Sequence, residues 1–258
     1  MAGAVAPAAR LMATEKSQKA AAASQARSDE PARWEVARPV TMVDHAVAAI
    51  ISGATRGVIL PGDRIVEADL ARALGMSRVP IREALRILES QGVVTSAPYK
   101  GIRLMEVSHE RLEQVLDVRS ALEILAARRA LEAKRNNRAG LNLLRKARDE
   151  LDLMAHREDV YGFALADAGF HRVLCELGGN PVLSMLWESL ARQVTIIGGL
   201  ATLGKPMREI VKEHDVLIEV FAAGDLEAMA RELHDHIVVL AHGIDFDAIV
   251  KERSRQRV

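Results

Sequence analysis

Across residues 110–243 the chain almost never alternates apolar with polar residues, yet large apolar side chains return every three or four positions. That period belongs to helices with one buried stripe and excludes an extended sheet over this length. The interruptions are brief turn signals at Asn136-Asn137, Arg157-Glu158, Gly178-Gly179-Asn180-Pro181, Gly204-Lys205-Pro206 and Ala223-Gly224-Asp225. They divide the segment into helices over about 110–134, 139–155, 159–177, 182–200, 207–222 and 226–243. Connections this short reverse the chain, so the expectation is an antiparallel all-α bundle. Ser108 suits the first N-cap, and Asn180-Pro181 supplies an N-cap with proline at N1. Hydrophobic residues make up 49% of the 258-residue chain but aromatics only 3%, so Leu, Ala, Val and Ile must do the packing.

The part before this bundle reads differently. A helix is expected over about 40–56, started by Thr41 or Asp44, with Val43, Val47, Ile50 and Ile51 on one face. Leu60-Pro61-Gly62-Asp63 is a turn signal. A second helix covers about 67–74 and ends at Gly75, as a C-cap glycine would end it. Ser77 is a natural N-cap for a third helix that stops near Gly92, and Pro80 is tolerated in its first turn. Two short helices around a glycine turn are a helix-turn-helix arrangement. Residues 93–95 and 102–104 are β-prone runs around a Pro/Gly loop, which read as a hairpin, that is, a wing, with Lys100 near its tip.

On the third helix, Ile81, Leu85 and Leu88 face a core, whereas Arg78, Arg82 and Arg86 share another face at spacing four. An arginine row near a helix N-terminus suits the DNA major groove, but it also suits a solvated surface. Residues 40–105 hold eight basic and six acidic residues, a net of +2, although the whole chain is neutral. Affinity for DNA phosphates is therefore expected to be moderate and salt-sensitive. Cys175 is the single cysteine, which excludes an internal disulfide framework. With no apolar run of membrane-spanning length and no secretory pattern, the expected location is the cytoplasm, with no membrane partner. Residues 1–38, rich in Ala, Ser and scattered charge, read as a disordered arm.

Pro61-Gly62-Asp63-Arg64-Ile65-Val66-Glu67, Leu70-Ala71, Leu74-Gly75, Ser77-Arg78 and Pro80-Ile81-Arg82-Glu83-Ala84-Leu85 together resemble the winged helix-turn-helix of the GntR family of bacterial transcription regulators. The resemblance implies DNA-contacting roles for Ser77, Arg78, Val79 and Arg82, and for Lys100 and Gly101 at the wing tip. Two positions depart from the family pattern: Val79 stands where threonine is frequent, and Ala68 where some members place arginine. The implied partner is a near-palindromic double-stranded operator bound by a homodimer.

Within the bundle, Asp167 and His171 lie four apart and so share a helix face. His214 and His236 lie ten residues before and twelve after Gly224, so an antiparallel helix pair brings them to the same level. These four residues can close around a divalent metal, Zn²⁺ being the first candidate, with Ni, Mn or Fe behind it. His45, His109, His156, His234 and His242 are read as surface or hydrogen-bonded residues. Asp167 with Phe170-His171, Gly179-Asn180-Pro181, Glu213-His214, Ala223-Gly224-Asp225 and His236 resemble the FCD effector domain of the FadR subfamily, in its metal-binding branch. That resemblance implies a small carboxylate effector at the metal. It also implies that Arg119 pairs with this carboxylate, the alternatives being a helix-surface arginine or an ion pair with Glu123 at i+4.

The expected organisation is an arm (1–38), a winged helix-turn-helix domain (39–106), a helical effector and dimerisation domain (107–250) and a tail (251–258), mainly α throughout. The expected function is a ligand-responsive transcriptional regulator, a repressor sooner than an activator, and not an enzyme. Two alternatives are a metal-dependent hydrolase or oxygenase using the three-His, one-Asp set, and a regulator whose metal is purely structural.

Overall fold

The computed structural model describes residues 40–97, 99 and 101–256. The arm at 1–38 and the wing-tip Lys100 lie outside the described residues. Helix α1 spans Met42–Thr55. Its N-cap is Thr41, whose hydroxyl accepts from the Asp44 N–H at 3.1 Å while the Asp44 carboxylate accepts from the Thr41 N–H at 2.9 Å. This reciprocal capping box satisfies two donors that a helix start otherwise leaves orphaned.

Strand β1, Arg64–Ile65, precedes α2, Glu67–Leu74, and α3, Arg78–Ser90. Gly75 closes α2 at φ +63°, a left-handed conformation that a residue with a Cβ adopts only at a cost. The turn lets α3 start three residues later. Strands β2, Val94–Ala97, and β3, Gly101–Leu104, pair antiparallel with Val94 opposite Leu104. β1 adds to the other edge of β3, giving the order β1-β3-β2. The wing is therefore a three-stranded sheet, where the residue pattern supports only a hairpin. Two residues are too few to show a period, and β1 forms because β3 offers it an edge.

The bundle follows: α4, His109–Glu132; α5, Arg138–His156; α6, Val160–Leu177; α7, Pro181–Ala201; and α8, Met207–Ala223. The Ser108 hydroxyl accepts from the Arg111 N–H, and the Asn180 carboxamide oxygen accepts from the N–H groups of Val182 and Leu183. The expected continuous helix over 226–243 is instead a rod in three parts. These are α9, Leu226–His234; a π-helical turn, Asp235–Val239; and a last α-helical turn, Leu240–His242. A further helix, α10, spans Phe246–Arg255 and carries into the segment expected to be a tail. Asp245 caps it by accepting from the Ala248 N–H at 2.8 Å.

One apolar cluster runs from Ile50, Ile81 and Leu88 in the head into Leu116, Ile196 and Phe221 in the bundle. Each fully buried side chain of this size stabilises the fold by roughly 1.5–3 kcal/mol. Helix α7 makes a very close approach to α1: a Cβ on Gly199 would lie 2.1 Å from Thr55 Cγ2 and 2.8 Å from the Thr55 carbonyl oxygen. Only glycine lets α7 sit this close to the end of α1. No helix of the described residues is long and apolar enough to cross a membrane.

Candidate metal centre and nucleic-acid interface

Three helices of the bundle bring histidines together. Helix α6 carries Asp167 and His171, α8 carries His214, and the π-helical turn after α9 carries His236. Gly224 ends α8 and Asp225 caps α9, so the two helices fold back on each other and set His214 beside His236, their ring centroids 4.8 Å apart. The three histidines offer ring nitrogens that all lie within 4.8 Å of one another. His171 Nε2 and His236 Nε2 are 3.3 Å apart, and His214 Nε2 lies 3.3 Å from Asp167 Oδ1. His171 and His214 are fully buried, Asp167 nearly so, and the His236 side chain is 6% exposed. Helical spacing and the position of the turn are enough to expect this convergence.

The partners of the outward nitrogens decide which tautomers are present. Nδ1 of His171 faces Glu123 Oε2 at 2.6 Å, and Nδ1 of His214 faces the Ile210 carbonyl at 2.8 Å. An ionised carboxylate and a carbonyl only accept, so each Nδ1 carries a proton and each Nε2 is the ring nitrogen left facing inward. Burial pushes the His171 imidazole down, against the raising effect of Glu123, and pushes His236 down to about 4, so both are neutral near pH 7. Burial alone would raise the Asp167 carboxyl, but His214, His171 and Arg119 hold it well below the usual carboxylate range.

Two observations test whether these residues fit a cation. His214 Nε2 is buried and has no hydrogen-bond partner in spite of its nearness to Asp167. Inward-facing imidazole nitrogens beside an anionic oxygen are what a cation needs, and nitrogens bound tetrahedrally at Zn–N lengths stand about 3.3 Å apart. The donor set fits a borderline divalent ion.

Glu123, which the sequence marks only as an ion-pair partner for Arg119, stands directly behind the candidate centre. It is fully buried, and its Oε1 accepts from Arg119 Nε at 2.8 Å and from Trp187 Nε1 at 3.0 Å, while Oε2 takes His171. Burial would raise this carboxyl, yet the facing His171 and Arg119 keep it ionised and far below its usual range. A carboxylate behind a ligating histidine fixes the ring and raises its basicity. The i,i+4 spacing from Arg119 points only to the ion pair. Nothing local to Trp187 marks it as a second donor.

Arg119 serves the ion pair but is not exhausted by it. Its Nη2 is buried without a hydrogen-bond partner, and the residue lines a cavity of about 80 Å³ together with Asp167, His236, Lys205 and Glu213. A single water needs about 10–15 Å³ on this measure, so the space admits a ligand of a few heavy atoms. Ile244 and Phe246, just before and at the start of α10, form part of its wall.

In the head, Ser77 and Arg78 are exposed at the start of α3, and Val79 is 65% exposed beside them. Arg82 is exposed but engaged: Nη2 donates to Glu67 Oε2 at 3.0 Å, which draws the guanidinium towards α2. Gly101 begins β3 at the wing tip, near the fully exposed Tyr99. Tyr99 has φ +64°, and no sequence pattern marks such an exposed tip residue. Behind α3, Gln193 Nε2 of α7 donates to the Gln91 carbonyl at 2.8 Å, and Arg111 Nη2 of α4 donates to Gln193 Oε1 at 2.9 Å. This polar bracket joins the end of α3 to two bundle helices. It too is invisible in sequence, because Gln91 and Gln193 lie about a hundred residues apart.

Comparison with known proteins agrees with this two-part construction. Residues 43–104 match the gntR family of bacterial regulatory proteins, and residues 114–238 match the FCD domain. An HTH-type transcriptional regulator from the TAR-I ttuE-ttuC' intergenic region of Agrobacterium vitis is 36% identical over 133 residues, covering 51% of this chain and 78% of that protein. The probable D-xylose utilization operon transcriptional repressor of Paenarthrobacter nicotinovorans is 28% identical over 188 residues, covering 73% of this chain and 82% of that protein. Among solved structures, E. coli McbR/YncC superposes with a TM-score of 0.64 at 21% identity, over 80% of this chain and 99% of that one.

Proposed function

The chain belongs to the GntR family of bacterial transcriptional regulators with a C-terminal FCD domain, and from that premise we propose a metal-dependent sensor of a small carboxylate that represses transcription. The family comprises regulators, so the hydrolase and oxygenase readings of the histidine cluster are set aside. The observation that carries the sensing reading is the pair of inward-facing Nε2 atoms of His171 and His214, whose rings are oriented by Glu123 and the Ile210 carbonyl, beside the unpartnered Nη2 of Arg119.

His171, His214, His236 and Asp167 would hold the ion, Zn²⁺ being the first candidate. Bound there, it supplies a Lewis-acidic positive point that attracts a carboxylate oxygen. The chain's own residues do the rest. Arg119 Nη2 takes the second oxygen of the carboxylate, and Phe163 and Ile197 exclude water around the carbon chain. The limited volume favours a short acid over a long acyl chain.

Helix α7 passes from this cavity to the head. Ile197 and Gly198 line the cavity, while Gln193, about 7.5 Å along the same helix, holds Gln91 at the end of α3. A ligand that shifts α7 thus acts directly on the element that presents Arg78 and Arg82 to DNA. The operator is near-palindromic and the protein a cytoplasmic homodimer in this reading. Large apolar side chains left exposed on α4 (Val118, Leu125) and α7 (Val182, Met185, Leu186) support the dimer.

Fluorescence anisotropy on the DNA upstream of the protein's own gene, at moderate salt, is the test. Metal-loaded protein should bind specifically, and a screened short carboxylate should weaken binding. A carboxylate whose affinity is indifferent to metal removal would leave the metal a structural role and sink the sensing reading.

A further inference from the structure

Outside the buried centre, His109, Glu113 and His242 form a second group whose donor atoms all lie within 4.8 Å of one another. Nε2 of His109 is 3.4 Å from Glu113 Oε1, and the His109 and His242 rings have centroids 5.6 Å apart at 46°. All three are exposed. His109 and Glu113 stand one helical turn apart at the start of α4, whereas His242 ends the last turn of the α9 rod. The fold therefore brings together donors more than 125 residues apart in sequence, which a charged face on one helix does not require.

Two imidazoles and a carboxylate suit Zn²⁺, Ni²⁺ or Cu²⁺ better than Mg²⁺ or Ca²⁺, which take oxygen ligands. Exposure leaves the remaining coordination positions to water. A cavity of about 110 Å³ lies against the two histidines and is also lined by Asp245 and Asp247, which add negative charge around it. Its position matters as much as its chemistry. His109 comes four residues after Met105, at the end of the connection from the wing, and Ile244 and Phe246 line both this cavity and the central one.

We propose that His109, Glu113 and His242 form a second, solvent-open transition-metal site that staples the start of α4 to the segment covering the effector cavity. Its occupancy would tie the connection below the DNA head to the wall of the central cavity. The site stands on its own residues and does not depend on the buried centre.

The test uses the full chain as purified, desalted and titrated with Zn²⁺ by calorimetry, alongside the double variant His109→Ala/His242→Ala. Metal retained through desalting reports the buried centre, and metal taken up afterwards reports the exposed one, so either reading can fail without the other. The wild type should take up one equivalent that the double variant lacks, and Glu113→Gln should weaken that uptake by more than about tenfold. Histidine ring signals of His109 and His242 in NMR should shift on the same addition. An identical isotherm for wild type and double variant, or ring signals that do not move, overturns the site. The three side chains are exposed, so these variants leave the core untouched.

Discussion

Glu123 Oε2 and His171 Nδ1 lie 2.6 Å apart with both side chains fully buried, a carboxylate and an imidazole fixing each other behind an inward-facing Nε2. Replacing Glu123 by Gln keeps the shape but removes the charge and the enforced tautomer. Affinity for the buried metal should fall about 10–100-fold, as loss of a ligand's orienting partner does elsewhere. Glu123→Ala should do more, because Arg119 is then left charged and buried without its acceptor, at about 3–5 kcal/mol. Competition with a metal-sensitive dye measures the first and denaturant unfolding the second. An unchanged dye titration for Glu123→Gln would refute the positioning role.

Chelation doubles as a stability experiment. An ion bound only by the folded state at a hundred times its Kd stabilises by about 2.7 kcal/mol. Strong chelator should therefore lower the melting temperature of the wild type by several degrees and leave His214→Ala unmoved. Equal melting of the wild type with and without chelator, in protein shown to carry metal beforehand, would contradict a bound ion at these residues.

Arginines 78 and 82 should behave differently in DNA binding. Arg78→Ala removes an exposed donor at the start of α3 and should cost about 1–3 kcal/mol of discrimination between operator and mutated operator. Arg82 is held by Glu67, so Glu67→Ala should free it and raise affinity for unrelated DNA while narrowing the operator preference. Lys100→Ala should weaken binding to all sequences alike and reduce the salt slope by about one. Anisotropy over a salt series separates these outcomes; a Lys100 effect confined to the operator would mean base reading at the wing.

The contact between Gly199 and Thr55 makes a sharper mechanical prediction. Gly199→Ala drives a methyl into Thr55 and should destabilise by about 1–3 kcal/mol. Thr55→Ser should recover part of that loss, since Cγ2 goes but the backbone oxygen stays. A double-mutant cycle by thermal unfolding reads the coupling, and strictly additive effects would place the damage elsewhere.

Much of the fold and part of the candidate metal centre's geometry are legible in the sequence. The capping residues Thr41, Ser108 and Asn180 and the turn at Gly75 fix helix ends through local hydrogen bonds and φ, and such information sits in adjacent residues. His214 and His236 can be paired because a single turn relates them. Glu123 cannot be placed behind His171 in this way, because 48 residues separate them and only the packing of α4 on α6 brings them together. The same holds for Gln91 and Gln193, and for β1, whose two residues acquire a strand only from β3. His109 and His242, read singly as surface residues, gain meaning from each other alone.

The π-helical turn at Asp235–Val239 has a consequence for how this protein can change by descent. Such a turn is an α-helix holding one surplus residue, and each residue advances an α-helix by about 100°. Losing a single codon there would restore a regular helix and swing α9 against the turn that ends at His242. The histidine at 236 would then face away from His171 or pull α9 out of the bundle, with all four candidate ligands still encoded. A lineage can thus lose this candidate metal centre by the length of its gene rather than by the identity of any ligand.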